Sequence, residues 1–285
     1  MKRYCDLHVH SVFSDGTNTP AELIRLAEEA NLSAIALCDH NTVGGLPEFL
    51  SAAEGSAVEA IPGVEISSDY ADKDVHILAL FVQPEHYAAV TDMLAEGDRR
   101  KEQSNIDLVA ALRNAGYDLD YAAIKAKTPQ GHINRAHIAA ELLNLGYVES
   151  VQDAFKTLLN PKCGYYNPPQ RITAYDAIRF IKSIGAVAVL AHPFLTMDEE
   201  LLRTFLPQAV ECGLDGMEVF YAKYDEATTL RALQIADVFG IAYSGGSDYH
   251  GVNKPDIAIG IGRGNLQIPS AWMEQLKRRK MRKKG

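Results

Sequence analysis

The sequence predicts an α/β protein whose mostly parallel sheet closes into a barrel. Two patterns and a size argument predict it. Short apolar runs recur along the chain, from "YCDLHVH" through "AIALCDH", "AVEAIPGVEISS", "VHILALFV", "AVAVLAHP" and "GMEVF" to "IAYSGGSDYH". Helical stretches such as "AYDAIRFIKSIG" and "ATTLRALQIADVFG" lie between several of them. Strands alternating with helices pair in parallel, and about seven such strands suffice to close a sheet on itself. The chain has 285 residues, 47% of them hydrophobic, which is enough for a substantial core.

In "YCDLHVH" side chains alternate faces, so Cys5, Leu7 and Val9 form an apolar face while Asp6, His8 and His10 share the other. After a polar loop, "TPAELIRLAEEANLS" reads as an amphipathic helix: Thr19 caps it, Pro20 opens its first turn and Glu22 completes a capping box. "AIALCDH" is a buried strand, and Pro62 and Gly63 read as a turn ahead of Glu65. From 98 to 168 the rhythm breaks. "RRKEQSNIDLVAALRNAG", "GHINRAHIAAELLNLGY" and "SVQDAFKTLL" are helical in period, and "YYNPPQ" closes the stretch. The expected organisation is a barrel from 1–97 and 169–285, with a helical insertion at 98–168 that caps the barrel mouth. In such barrels chemistry gathers at the carboxyl ends of the strands.

The formal net charge is −9, although "KRRKMRKK" near the C-terminus is almost wholly basic, so the rest of the chain is more acidic than the total. That sign disfavours broad nucleic-acid binding, yet carboxylates that hold divalent cations keep a phosphorylated substrate in play. The basic tail reads as the solvated end of a last helix in preference to a nucleic-acid arm. Cys5, Cys38, Cys163 and Cys212 form no CxxC pair and read as reduced thiols without a functional role. Apolar runs such as "AVAVLA" fall short of the roughly 20 residues a membrane span needs, and "MKRYCDLH" lacks a signal-peptide core. A cytoplasmic protein with no membrane association and no stable protein partner is expected.

Ligand-type side chains recur where the strands end. His8 and His10 lie on the first strand and Asp15 in the loop after it; Asp39 and His40 end the second, and Glu65 follows Gly63. His76 lies on the fourth strand, His192 ends "AVLAHP", and Asp248 and His250 end "SGGSDYH". A hydrogen-bonded core histidine or a capping aspartate explains any one of these. It does not explain the set, because burying such groups costs free energy unless they are paired or coordinate a metal. Imidazoles and carboxylates without thiolate suit Mn²⁺, Fe²⁺ or Zn²⁺. Even without Asp39, nine candidate ligands exceed what one ion uses, so two or three ions sharing a bridging carboxylate are expected.

In order and in spacing, "DLHVHSVFSDG", "CDHNT", "PGVEIS", "DVHIL", "LAHP" and "GSDYHG" resemble the motifs of the polymerase-and-histidinol-phosphatase (PHP) phosphoesterases, over nearly the whole chain. "NRAHIA" in the insertion is similar to the branch of nucleoside 3',5'-bisphosphate phosphatases, which are related to short-RNA 5'-to-3' exonucleases. The resemblance implies a distorted (β/α)7 barrel with three metal ions, manganese foremost and zinc or iron as alternatives. It implies that His8, His10, Glu65 and Asp248 hold the first ion. Glu65 then bridges to a second held by His76 and His192, while Asp15, His40 and His250 hold a third. Asp6 and Asp39 are left either to orient His8 or His40 or to cap the backbone.

Such equipment suits phosphate-ester hydrolysis by a metal-bound hydroxide, with Glu65, His192 and Asp248 at the reacting centre. The expected substrate is a small nucleoside 3',5'-bisphosphate such as pAp, cleaved to AMP; a short oligoribonucleotide is the nearest alternative. Histidinol phosphate, an amide, and a non-catalytic metal-binding or regulatory module are further ones. Specificity is expected in the insertion. Asn134, Arg135 and His137 lie near a helix start, where Arg135 can fork onto a second phosphate. Lys162 adds charge, Arg171 reads as an ordinary surface base, and Tyr165 is a candidate to stack on a base. Phe155 and Tyr166 read as packing residues.

Overall fold

The structure is a computed structural model that describes residues 4–127, 133, 135–169 and 171–280. Two compact units share the chain: Met1–Thr91 with Ile172–Gly285, and Asp92–Arg171. The sequence periodicity put the breaks at 97/98 and 168/169. The first break leaves no local signal because one uninterrupted helix, Tyr87–Asn114, runs through it.

In the first unit the chain runs β1 (Tyr4–Val9), α1 (Pro20–Glu29), β2 (Ala34–Leu37), α2 (Leu46–Ala52), β3 (Glu59–Tyr70), β4 (Lys73–Leu80) and the start of α3 (Tyr87–Asn114). The second unit adds α4 (Tyr121–Ala126), α5 (Arg135–Asn144) and α6 (Val151–Thr157). The first then resumes with α7 (Ala174–Ser183), β5 (Val187–Leu190), α8 (Glu199–Cys212), β6 (Gly216–Tyr221), α9 (Glu226–Phe239), β7 (Ala242–Gly246), β8 (Ile268–Pro269) and α10 (Ser270–Lys280).

The strands lie in the order β7-β6-β5-β4-β3-β2-β1-β8, and the expected barrel is present. Its two ends meet. The Asp248 amide donates to His8 O at 2.9 Å and Val9 bridges Tyr249, so the chain leaving β7 lies beside β1. Gly246 permits that approach, since a Cβ there would lie 2.2 Å from His8 Cβ. Most pairs are parallel, but β4 runs antiparallel to both β3 and β5. It does so because β3 turns back directly through Ala71 and Asp72, both at positive φ, with no crossover helix.

Pro62 and Gly63 are not a turn: they lie inside the long strand β3. They mark the point where β3 leaves β2, its last pair being Leu37 with Pro62, and takes up β4 from Gly63 onward. Proline has no N–H to give a second neighbour there, and a Cβ at Gly63 would sit 2.9 Å from Ala79 O. The capping box of α1 is present, with Thr19 Oγ1 accepting from the Glu22 amide and Glu22 Oε2 accepting from that of Thr19.

One apolar cluster of the barrel unit gathers Leu7, Ile61, Leu78, Val187, Val189 and Ile268. The helical unit has its own core of Leu108, Leu112, Ile138, Leu142, Leu158 and neighbours. None of the helices among the described residues is long and apolar enough to cross a membrane.

Candidate metal centre

Five imidazoles circle one carboxylate. Ring centroids follow one another from His8 to His10 (5.0 Å), His40 (4.5 Å), His76 (5.2 Å), His192 (5.3 Å) and back to His8 (5.6 Å). Glu65 stands inside this ring. Its Oε2 lies 3.2 Å from His8 Nε2, 3.3 Å from His10 Nε2 and 3.1 Å from His40 Nδ1. Its Oε1 lies 2.8 Å from His76 Nδ1 and 3.0 Å from His192 Nε2. The antiparallel course of β4 matters here, because it brings the N-terminal half of that strand, with His76, to the end where the parallel strands finish.

The remaining expected ligands close two sides. Asp248 Oδ1 lies 3.3 Å from His10 Nε2 and 3.9 Å from His8 Nε2. Asp248 Oδ2 faces away and accepts from Tyr221 Oη (2.8 Å) and Lys254 Nζ (2.7 Å), which leaves Oδ1 for the centre. On the other side Asp15, His10, His40 and His250 place ligand atoms within 4.8 Å of one another. His250 Nδ1–H donates to Asp248 O, turning Nε2 toward Asp15 Oδ1 at 3.1 Å. His8, His10 and Glu65 side chains are fully buried whereas that of Asp15 is 56% exposed, so the cluster opens to solvent along the Asp15 edge.

The electrostatics are those of a crowded polar core. Burial opposes a charge on His8, but Glu65 and Glu218 overcome it and hold its pKa well above the ordinary histidine value. Burial likewise opposes a charge on His76, yet Asp74 and Glu65 raise it to about 10. His40 goes the other way, pushed down to about 4 by burial that Glu65 does not offset. Glu65 and Asp248 stay ionised against the cost of burial because the rings beside them hold their pKa values below the usual carboxylate range.

The donor set fits a divalent metal centre. Glu65 Oε2 is buried and accepts no hydrogen bond, although three ring nitrogens point at it. A buried carboxylate oxygen left in that state is costly, and a cation shared with those nitrogens removes the cost. The residues are nitrogen and oxygen donors of the first-row type.

Six further residues build the site without having been legible as ligands. Glu218 Oε1 accepts from His8 Nδ1–H at 3.1 Å. Tyr221 and Lys254 hold Asp248, as above. Ser11 and Asp39 tie the first loop, with Asp39 accepting from the Ser11 amide (2.7 Å), Ser11 Oγ (2.6 Å) and Ser14 Oγ (2.6 Å). Asp6 accepts from the amides of His8, Ser247 and Gly260. Of the two roles open to Asp6 and Asp39, loop and backbone capping is therefore the one adopted. The pairing of β1 with β2 is irregular between Asp6 and Val9.

The barrel unit also carries a cleft of about 530 Å³ along the loop that follows His192, lined by Phe194, Thr196, Met197, Lys223, Tyr224 and Arg231 among others. In the helical unit Arg135 Nη1 donates to Leu159 O (3.1 Å), and its guanidinium lies over the rings of Tyr166 (4.4 Å) and Phe155 (5.4 Å). Tyr165 packs on the helical core, edge-on to Tyr117. Lys162 is exposed in a short turn, His137 is half-buried, and Asn134 lies outside the described residues.

The model of the PHP domain family matches residues 6–161. The chain belongs to the PHP family. It is 31% identical to a 5'-3' exoribonuclease of Haemophilus influenzae over 87% of this chain and 90% of that one. It is 31% identical to a 3',5'-nucleoside bisphosphate phosphatase of Chromobacterium violaceum (86% of each chain). It is 30% identical to a phosphoribosyl 1,2-cyclic phosphate 1,2-diphosphodiesterase of Eggerthella lenta (86% and 94%). A solved structure from Bifidobacterium adolescentis, described as a metal-dependent phosphoesterase, aligns with a TM-score of 0.70 at 29% identity over 96% of both chains. As a PHP protein with this donor set, the chain is a metal-dependent phosphoesterase that binds divalent cations.

Proposed function

We propose that this PHP protein removes the 3'-phosphate of nucleoside 3',5'-bisphosphates, converting pAp to AMP. Three divalent ions, manganese foremost, are held by His8, His10, Asp15, His40, Glu65, His76, His192, Asp248 and His250. The observation that carries the reading is the ring of imidazoles about Glu65, whose two oxygens face two different groups of nitrogens. Divalent cations supply positive charge against the phosphoryl oxygens and bring the pKa of water near neutrality.

The chain's own groups arrange the rest. Glu65 bridges the first two positions, and Asp248 offers its inward oxygen because Tyr221 and Lys254 occupy the outward one. The exposed edge at Asp15 admits the phosphate. The cleft after His192 gives room for sugar and base. In the helical unit Arg135 has N–H donors beyond the one given to Leu159, and Asn134, Arg135, His137, Lys162 and Tyr165 are the residues proposed to bind substrate.

The test is phosphate release from pAp and from AMP by Mn²⁺-loaded protein, with the nucleotide product identified. Release from pAp giving AMP, with AMP left intact, supports the 3'-specific phosphatase. A second reading, 5'-to-3' hydrolysis of short oligoribonucleotides, is favoured by the likeness to the Haemophilus exoribonuclease. Stepwise shortening of a trinucleotide faster than pAp turnover establishes that reading and overturns the first.

A further inference from the structure

Glu218 is a buried carboxylate on β6 that the phosphoesterase reading does not use, and both of its oxygens are engaged with the candidate centre. Oε1 accepts from His8 Nδ1–H at 3.1 Å, and Oε2 accepts from the backbone N–H of His192 at 2.8 Å. These partners flank Glu65. His8 Nε2 faces Glu65 Oε2 at 3.2 Å, and His192 Nε2 faces Glu65 Oε1 at 3.0 Å. The two rings are nearly parallel, 5.6 Å apart with an interplanar angle of 19°.

Each bond decides something different. A carboxylate only accepts, so in the neutral ring Oε1 keeps the proton of His8 on Nδ1 and leaves the lone pair of Nε2 on the side of Glu65, His10 and Asp248. His192 stands at φ 26° and ψ 54°, a backbone state a histidine seldom takes, and the bond to Oε2 holds that amide in place. His8 and Glu218 have no exposed side-chain surface, so no solvent substitutes for either partner.

We infer that Glu218 is a positioning residue that couples the first two metal positions, so that they fill and empty together. The inference rests on the metal-centre reading. Both Glu218 oxygens face N–H groups in this arrangement, and Glu218, His8 and His192 also bring ligand atoms within 4.8 Å of one another.

In Glu218→Gln the amide has one acceptor and one donor. If its oxygen keeps the His192 amide, its NH₂ faces His8 Nδ1, which then has to accept, and the ring proton moves to Nε2, pointing into the metal position. The experiment has two parts. Nitrogen-15 NMR of histidine-labelled full-length protein, metal-free and titrated to a pH at which His8 is neutral, reports the His8 tautomer. Metal analysis and Mn²⁺ calorimetry on wild type and Glu218→Gln report affinity and stoichiometry.

Expected are an Nδ1-protonated His8 in wild type, an Nε2-protonated one in the variant, and joint weakening of two ions by about tenfold or more, while the ion at Asp15, His40 and His250 stays. A neutral wild-type His8 with its single proton on Nε2 overturns the inference whether or not the variant folds. So does unchanged Mn²⁺ binding in a folded variant, or loss of one ion with the other intact. Wild type that binds no Mn²⁺ overturns the metal-centre reading instead, and the tautomer is still measured.

Discussion

At the scale of single residues, Glu65 is the position on which most depends. Its two oxygens meet five imidazole nitrogens within 3.3 Å. Glu65→Gln replaces one anionic acceptor with an NH₂ that faces ring nitrogens, so metal and turnover fall together. The loss exceeds the roughly 10–100-fold typical of residues behind a ligand. Metal content after desalting and phosphate release from pAp check this; full turnover with bound metal would refute the bridging role. Lys254→Met acts more gently, because Tyr221 still holds Asp248 Oδ2. It lowers Mn²⁺ affinity less than Glu65→Gln does, as calorimetry can compare directly.

At the scale of elements, the barrel closes where β7 passes β1, and Gly246 is the residue that lets it. With a Cβ only 2.2 Å from that of His8, Gly246→Ala forces the two apart. The expected cost is about 1–3 kcal/mol of stability, in the range of overpacked cores, together with weaker metal binding through displaced His8. Urea unfolding of the metal-free variant measures the first and Mn²⁺ titration the second. In the helical unit, Arg135→Ala removes the contacts to Tyr166, Phe155 and Leu159 O, worth about 1 kcal/mol. It is also predicted to slow turnover of a bisphosphate more than that of a simple phosphomonoester. Equal losses on both substrates would leave Arg135 a packing residue alone.

At the scale of the whole molecule, metal and proton compete for the same nitrogens. In the metal-free protein His8 and His76 have pKa values above the ordinary histidine value, that of His76 about 10, so both rings carry protons near neutral pH. A cation has to displace them. Mn²⁺ affinity therefore rises with pH from neutrality toward about 10, by up to about tenfold per displaced proton per pH unit. Calorimetry in two buffers of different ionisation enthalpy counts the protons released; affinity independent of pH would contradict the protonated rings. Because the ions bind the folded barrel, Mn²⁺ at about a hundred times its dissociation constant adds about 2.7 kcal/mol per site. Chelation returns the melting temperature to the metal-free value.

The candidate ligand residues and their local setting were legible in the sequence because they depend on short-range periods. Alternation along "DLHVH" puts His8 and His10 together, strand ends bring His40, His192, Asp248 and His250 to one side, and the Thr19–Glu22 cap is written within four residues. The helical character of the second unit follows equally from its period. What tertiary structure alone decided has partners far apart in the chain. Glu218 meets His8 across 210 positions, and Asp6 reaches the amides of Ser247 and Gly260 and not a histidine ring. Lone carboxylates in "GMEVF" and "YCDLHVH" carry no local mark that tells an orienting acceptor from a backbone cap. The reversal of β4 and the place of Pro62 and Gly63 inside β3 were also hidden, because a Pro-Gly pair serves a turn and a change of strand partner alike. Local sequence determines which groups are available and which way they face along their own element. Only barrel closure, which packs distant strands side by side, determines which of them share a proton.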